Sequence, residues 1–173
     1  AVFTMLVQSS SATVGITLAL AATGLLDFTA CVAIILGDNI GTTVTANLAS
    51  IGTNAAARRT ARAHSLFNLL GVAWILFVLP LFTELVDAIT PGSPDFVIQT
   101  VEEAALYGAA VGDKPYIARH IANAHTLFNV VNCLVFLPLL GVLTRTVSWL
   151  VPDKAGAIEL EFHLKHLDSK VLD

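Results

Sequence analysis

The chain has 173 residues, 55% of them hydrophobic and only 13% charged, with a net charge of -4. Its mean hydropathy is +0.77. Soluble domains carry roughly 25% charged residues, so an ordinary soluble enzyme and a disordered chain are excluded. The 13 Asp+Glu against 9 Lys+Arg leave no basic face for nucleic acid. What remains is an integral membrane protein or a membrane domain.

Residues 1–26 hold no charge, and Asp27 and Asp38 are the only charges before Arg58. This apolar region is also hydroxyl-rich, with 13 Ser/Thr between Thr4 and Thr53, and Gly15, Gly24, Gly37, Gly41 and Gly52 interrupt it. Lipid-facing helices do not favour that mixture; broken helices or re-entrant hairpins lining a polar cavity do. Gln8-Ser9-Ser10-Ser11 places four polar residues ahead of an apolar helix over 12–26. An unsatisfied polar group in hydrocarbon costs several kcal/mol. The run therefore meets a cavity, a ligand or another polar element. Serines at a helix start expose backbone N–H groups and hydroxyls together, which makes an anion site at the positive end of the dipole. The same hydroxyl and amide oxygens can coordinate Na+. The plainer alternative is hydrogen bonding between helices through small residues.

Next comes an apolar run over 28–36 and then Gly37-Asp38-Asn39-Ile40-Gly41-Thr42-Thr43-Val44-Thr45. The two glycines allow the chain to unwind or turn there. Asn39, Thr42, Thr43 and Thr45 supply donors and acceptors, and a buried Asp38 carboxylate needs a cation or a proton. This is no P-loop, because the Gly-Lys-Ser/Thr is missing. Two polar breaks around one apolar stretch read as a substrate and ion site at mid-membrane.

Arg58, Arg59 and Arg62 precede an uncharged stretch over 63–83, and a second uncharged stretch covers 120–144. A spanning helix needs about 20 such residues, so both are expected to cross the membrane. The connection between them holds Glu84, Asp87, Asp95, Glu102, Glu103 and Asp113 against Lys114 and Arg119. By the positive-inside rule the Arg58–Arg62 loop and the C-terminus are cytoplasmic and the acidic connection is external. The two spans are then antiparallel. Within the connection, 96–111 is expected to hold an amphipathic or short helix. From Pro152 onward the chain turns charged, with Leu160, Leu164, Leu167 and Val171 at helical spacing. That reads as the start of a soluble helix.

An internal echo joins the two spans. Ala63-His64-Ser65-Leu66-Phe67-Asn68 recurs as Ala124-His125-Thr126-Leu127-Phe128-Asn129, and each copy runs on to a Leu-Pro-Leu. The plain reading is shared packing at helix starts. The sharper one brings Asn68 and Asn129 to a central site. Cys31 and Cys133 read as reduced, small core residues. His64, His125 and the cysteines lack zinc-ligand spacing, and Ser9–Ser11 lack a Gly-x-Ser-x-Gly elbow. No enzyme is expected.

The double motif, Gln8-Ser9-Ser10-Ser11-Ala12-Thr13 and Gly37-Asp38-Asn39-Ile40-Gly41-Thr42-Thr43-Val44-Thr45-Ala46, resembles the sodium/phosphate cotransporter family of the type II, inverted-repeat kind. The Arg-rich loop and His64-Ser65-Leu66-Phe67-Asn68 fit it too. The resemblance covers about residues 1–150 and implies an all-α membrane fold with re-entrant or broken helices, one half of an inverted-repeat transporter. In that family a Gln-Ser-Ser-Ser motif occurs in each of two inverted repeats. It implies that Gln8, Ser9, Ser10 and Ser11 bind phosphate, with Asn39, Thr42 and Thr43 completing the shell. Sodium, the coupling ion, would meet Gln8, Ser10, Asp38, Thr43 and Thr45.

With a single Gln-Ser-Ser-Ser, the chain reads as the second repeat, and the first repeat lies on the same or another chain. Asp38 stands where the family more usually has a small neutral residue. Residues 1–150 would form the transport domain and 151–173 the start of a cytoplasmic helical regulatory domain resembling the phosphate-uptake regulator. The expected partners are inorganic phosphate, sodium, the lipid bilayer, the first repeat and a second copy in a homodimer. The expected place is the plasma or inner membrane, crossed several times. The expected function is sodium-coupled phosphate symport. The alternatives are a passive anion channel or phosphate exporter of the same fold, and a membrane anchor for a phosphate-regulatory domain.

Overall fold

Four of the described helices begin where a short polar side chain accepts an orphan backbone N–H. Ser9 Oγ accepts from Ala12 N, Asp27 Oδ1 from Ala30 N, and Asn54 Oδ1 from Ala57 N. Thr100 and Glu103 form a reciprocal capping box. The computed structural model describes residues 1–153, and every regular element in that range is helical. The helices are α1 (Val2–Val7), α2 (Ser10–Ala22), α3 (Phe28–Ala49), α4 (Ala55–Phe77), α5 (Leu79–Ile89), α6 (Val101–Tyr107), α7 (Ile117–Phe136) and α8 (Leu140–Leu150). This is the expected all-α architecture.

The first expected break is present. Gln8 sits in the left-handed region (φ 54°, ψ 29°) between α1 and α2. The second is not. α3 runs unbroken through Gly37 and Gly41, and it is the one described helix long and apolar enough to cross a membrane by itself. Its glycines serve close approach instead. A Cβ on Gly41 would lie 2.6 Å from Thr4 Cβ and 2.9 Å from the Ala1 carbonyl oxygen. A Cβ on Gly37 would lie 2.8 Å from Ala1 N.

The two clean spans are also revised. α4 and α5 meet at 87°, and α7 and α8 at 84°. Both bends fall at the Leu-Pro-Leu triplets. Proline has no N–H and clashes with the preceding turn, so the hydrogen-bond ladder ends there. The helix expected over 96–111 shrinks to α6, which Gly108 closes in the left-handed conformation. The expected tail helix with Leu160, Leu164, Leu167 and Val171 lies outside the described residues.

α3 is the central helix, packed on α1, α2, α4 and α7. Val32, Ile35 and Leu36 join Val72 and Ile75 of α4 and Ile117, Ile121, Ala124 and Phe128 of α7 in one core. At the acidic end His120, fully buried, sets Nε2 3.1 Å from Asp87 Oδ1 and so ties α7 to α5. Leu69, Leu76, Leu81, Leu134 and Leu137 point outward, and Phe77 is 89% exposed. A surface this apolar fits contact with lipid or with another apolar element.

Candidate anion and cation site

The break at Gln8 frees the start of α2. A non-glycine residue in the left-handed region is uncommon and concentrates at functional sites; Gln8 is the sole example among the described residues. Ser9 caps the helix. Thr13 donates its hydroxyl to the Ser9 carbonyl at 3.2 Å, and Thr17 donates to the Thr13 carbonyl at 2.8 Å. The N–H groups of Ser10 and Ser11 are the first two of α2 and have no carbonyl one turn back to meet. Gln8 and Ser11 are exposed and Ser10 is half-buried. This is a helix N-terminus with open donors, an arrangement that suits an anion.

On α3 the polar groups behave differently. Asn39 Nδ2 donates to the Ile35 carbonyl, the Thr42 hydroxyl to the Asn39 carbonyl, and the Thr43 hydroxyl to the Ile40 carbonyl. The two threonine hydroxyls commit their only hydrogen to their own helix and offer outward oxygen lone pairs, while Asn39 keeps its second N–H and its amide oxygen. Thr45 is exposed. Asp38 is 2% exposed, and its Oδ1 is buried with no hydrogen-bond partner. A bare carboxylate oxygen in an apolar interior is costly unless a cation or a proton meets it.

Thr4 links the two motifs. Its hydroxyl shares a 3.2 Å hydrogen bond with the Thr13 hydroxyl, while its Cβ fills the place beside Gly41. The Ser9 carbonyl, Thr13, Thr4 and Gly41 thus form a continuous contact path from the α2 cap to the α3 motif. Between α1, α2 and α3 lies a cleft of about 310 Å³, with Thr4, Thr13 and Thr17 among Phe3, Ile16 and Leu20. Gln8, Ser9, Ser10, Ser11, Asn39, Thr42 and Thr43 do not line it. The structure joins the motifs through their neighbours rather than by direct hydrogen bonds.

Sequence reading missed a second hub. Asn47 Nδ2 donates to the Thr43 carbonyl at 2.7 Å and to Ser65 Oγ, while Arg62 Nη1 donates to Asn47 Oδ1. An Arg therefore stands one helical turn from the Thr43 motif, although none is near it in sequence. The turn at 50–54 brings the end of α3 beside the start of α4, but a symmetric hairpin about it would set Asn47 opposite Ala57 rather than Arg62 or Ser65.

The echoed motifs lie in mid-helix, not at helix starts. Asn68 and Asn129 each donate back to the carbonyl four residues earlier, at 3.0 and 2.8 Å, and Ser65 and Thr126 do the same. Three residues beyond each Asn stand Gly71 and Asn132, and these two meet where α4 crosses α7. Asn132 Oδ1 accepts from Trp74 Nε1 at 3.3 Å and its Nδ2 donates to the Phe67 carbonyl at 3.4 Å. Phe67 also packs edge-on against Phe136. Contacts that advance along α4 retreat along α7, so the two helices are antiparallel here.

Outside the apolar layer, the Tyr107 and Tyr116 hydroxyls share a 2.9 Å hydrogen bond. That bond raises the Tyr107 pKa above its ordinary value, and the nearby Glu103 charge adds to the shift.

Comparison with known proteins agrees with the resemblance carried by the two motifs. Residues 1–88 match the Na+/Pi-cotransporter family. The uncharacterised YqeW protein of Bacillus subtilis is 34% identical over 153 residues, covering 88% of this chain and 42% of YqeW. The YjbB proteins of Salmonella typhimurium and Escherichia coli K12, whose name proposes inorganic phosphate export, are 31% and 28% identical. They align over 100% of this chain and 27% of their own length. The chain thus spans less than half the length of these relatives. No solved structure matches it.

Proposed function

We propose, since the chain belongs to the Na+/Pi-cotransporter family, that it forms one half of a cation-coupled inorganic phosphate transporter. The other half is a first repeat on the same or another chain. Phosphate binds at the start of α2, on the N–H groups and hydroxyls of Ser10 and Ser11 with Gln8 and Ser9 beside them. Asn39, Thr42 and Thr43 close the shell once their hydroxyl and amide hydrogens turn from the α3 carbonyls. Sodium takes the lone pairs of Gln8, Ser10, Thr43 and Thr45 and the carboxylate of Asp38.

The observation that carries the coupling is Asp38: a buried carboxylate oxygen with no partner, on the α3 motif that Thr4 links to the anion-binding helix start. A site with a bound cation attracts phosphate, and one without it does not. Cation and anion therefore enter together and leave together. No Lys or Arg lies near Gln8–Ser11 in sequence to hold the anion back.

The test is phosphate uptake into proteoliposomes holding the intact transport unit. Ser10→Ala and Thr42→Val are expected to abolish sodium-dependent uptake while expression persists; normal uptake in both refutes the site. Asp38→Asn keeps the side-chain shape and removes the charge. It is expected to leave the protein folded and at least as stable, while the transport current and its sodium dependence change. An unchanged current removes Asp38 from the coupling.

The YjbB relatives favour a second reading, phosphate export through the same site. Loading vesicles with phosphate and reversing the sodium gradient distinguishes the two.

A further inference from the structure

The Arg-bearing turn of α4 and the end of α8 enclose a cleft of about 350 Å³ lined by Arg58, Arg62, Leu150, Val151, Pro152 and Asp153. Its charges are unevenly engaged. The acid is already taken: Asp153 lies 2.9 Å from Arg59 Nη2, and Arg59 Nε donates to the Val151 carbonyl at 2.9 Å. Those contacts lace α4 to the end of α8. Among the described residues Arg58 has no such partner, and its Nε is buried without an acceptor there. A buried N–H left unpaired is uncommon and costly. Arg62 spends one donor on the neutral Asn47 amide, and a guanidinium has five.

Two guanidinium groups with open donors, one of them partly buried against apolar walls, form a receptor for a tetrahedral oxyanion. The planar fork matches two phosphate oxygens at once. Arg58 Nε is closed to water as packed, so a charge-assisted contact to a phosphate oxygen requires the guanidinium to turn toward the cleft. We propose that this cleft is a second anion site, distinct from the start of α2, in which Arg58 and Arg62 hold a phosphate group. Inorganic phosphate and a phospholipid headgroup present the same chemistry. Through Arg62 and Asn47 the cleft is two side chains from the Thr43 carbonyl. An anion that draws Arg62 toward itself loosens its hold on Asn47, so occupancy of the cleft is relayed to α3.

The experiment uses the intact transport unit in nanodiscs, on a Ser10→Ala/Thr42→Val background that silences the α2 site. Radiolabelled inorganic phosphate is bound in pure phosphatidylcholine, and retention of phosphatidylglycerol is followed by native mass spectrometry in mixed discs. At least one ligand is expected to bind, and Arg58→Gln/Arg62→Gln is expected to weaken it about tenfold or more, as loss of a charge-assisted pair does. Arg58→Lys/Arg62→Lys keeps the charge but not the fork and is expected to fall between. It also serves as the reading if the glutamine variant does not elute as a single species.

Arg-dependent phosphate binding in neutral lipid identifies the free anion. Arg-dependent retention of phosphatidylglycerol alone identifies the headgroup. Binding that ignores both arginines, or no binding of either ligand, overturns the proposal. Transport is not the readout, so a failure of the symport reading is seen separately.

Discussion

α3 and the α4–α5 pair look alike in composition and differ in shape. α3 carries two glycines, an aspartate and an asparagine near its middle and stays one helix of 22 residues. α4–α5 has an uncharged stretch over 63–83 and turns by 87°. The difference shows that polarity does not break a helix; loss of a backbone donor does. Glycine and aspartate keep their N–H groups. Pro80 has none, and neither has Pro138 in the matching α7–α8 bend. What α3 gains from its glycines is contact, because α1 lies against the positions where Cβ atoms would be.

The largest effect is expected from filling that contact. Gly41→Val drives a side chain into Thr4 and the Ala1 carbonyl, an overpacking cost of about 1–3 kcal/mol, and parts α1 from α3. Thermal unfolding in detergent should fall and phosphate uptake should be lost. Gly15→Ala, with nothing within 4 Å of the new Cβ, should leave stability equal or raise it by up to about 1 kcal/mol. If the two variants behave alike, the contact role of Gly41 is wrong.

A middling effect is expected at the bend. Pro80→Ala restores an N–H and lifts the cost of about 3 kcal/mol that a proline would impose on a continuous α4–α5 helix. Spin labels on exposed Leu70 and Leu85 should then move apart as α4–α5 straightens. An unchanged distance would mean that packing of Phe82 and Val86, with the His120–Asp87 tie, sets the angle instead.

The smallest effect lies outside the apolar layer. Tyr116→Phe should return the Tyr107 pKa toward its ordinary value, read from tyrosinate absorbance. The raised folded pKa means that the neutral phenol is favoured in the fold. Its stabilisation is complete below the ordinary tyrosine range and is lost as pH rises through the elevated value. In wild type, then, any loosening of the Tyr107–Tyr116 contact should appear only at alkaline pH, and in Tyr116→Phe it should be absent.

Much of the local structure around the two motifs was legible in one dimension because capping is a local interaction. Gln8-Ser9-Ser10-Ser11 reads as a cap and a start of helix, and Ser9 does cap α2. The hydroxyl density of residues 1–53 announced a broken helix, and Gln8 provides the break. Asn47 escaped notice, and Arg62, Thr4 and Thr13 were noticed for topology, for hydroxyl density or as motif members only, because their bonds run across helices. Such contacts have no spacing signature within one helix. The AHSLFN echo misled about position, since capping by Asn54 started α4 a full two turns before it.

By itself the sequence determined the solvent and the class: an apolar composition that only a membrane or another apolar surface can accommodate, a serine run at the start of α2, and two polar motifs that carry the family resemblance. Those are properties of side chains and of their near neighbours. Tertiary structure decided which glycines would be contacts, where the spans would bend, and which polar groups would be left open. Asp38 became a bare carboxylate, and Arg58 an unanswered donor, only when the surrounding helices closed over them and removed water as a partner.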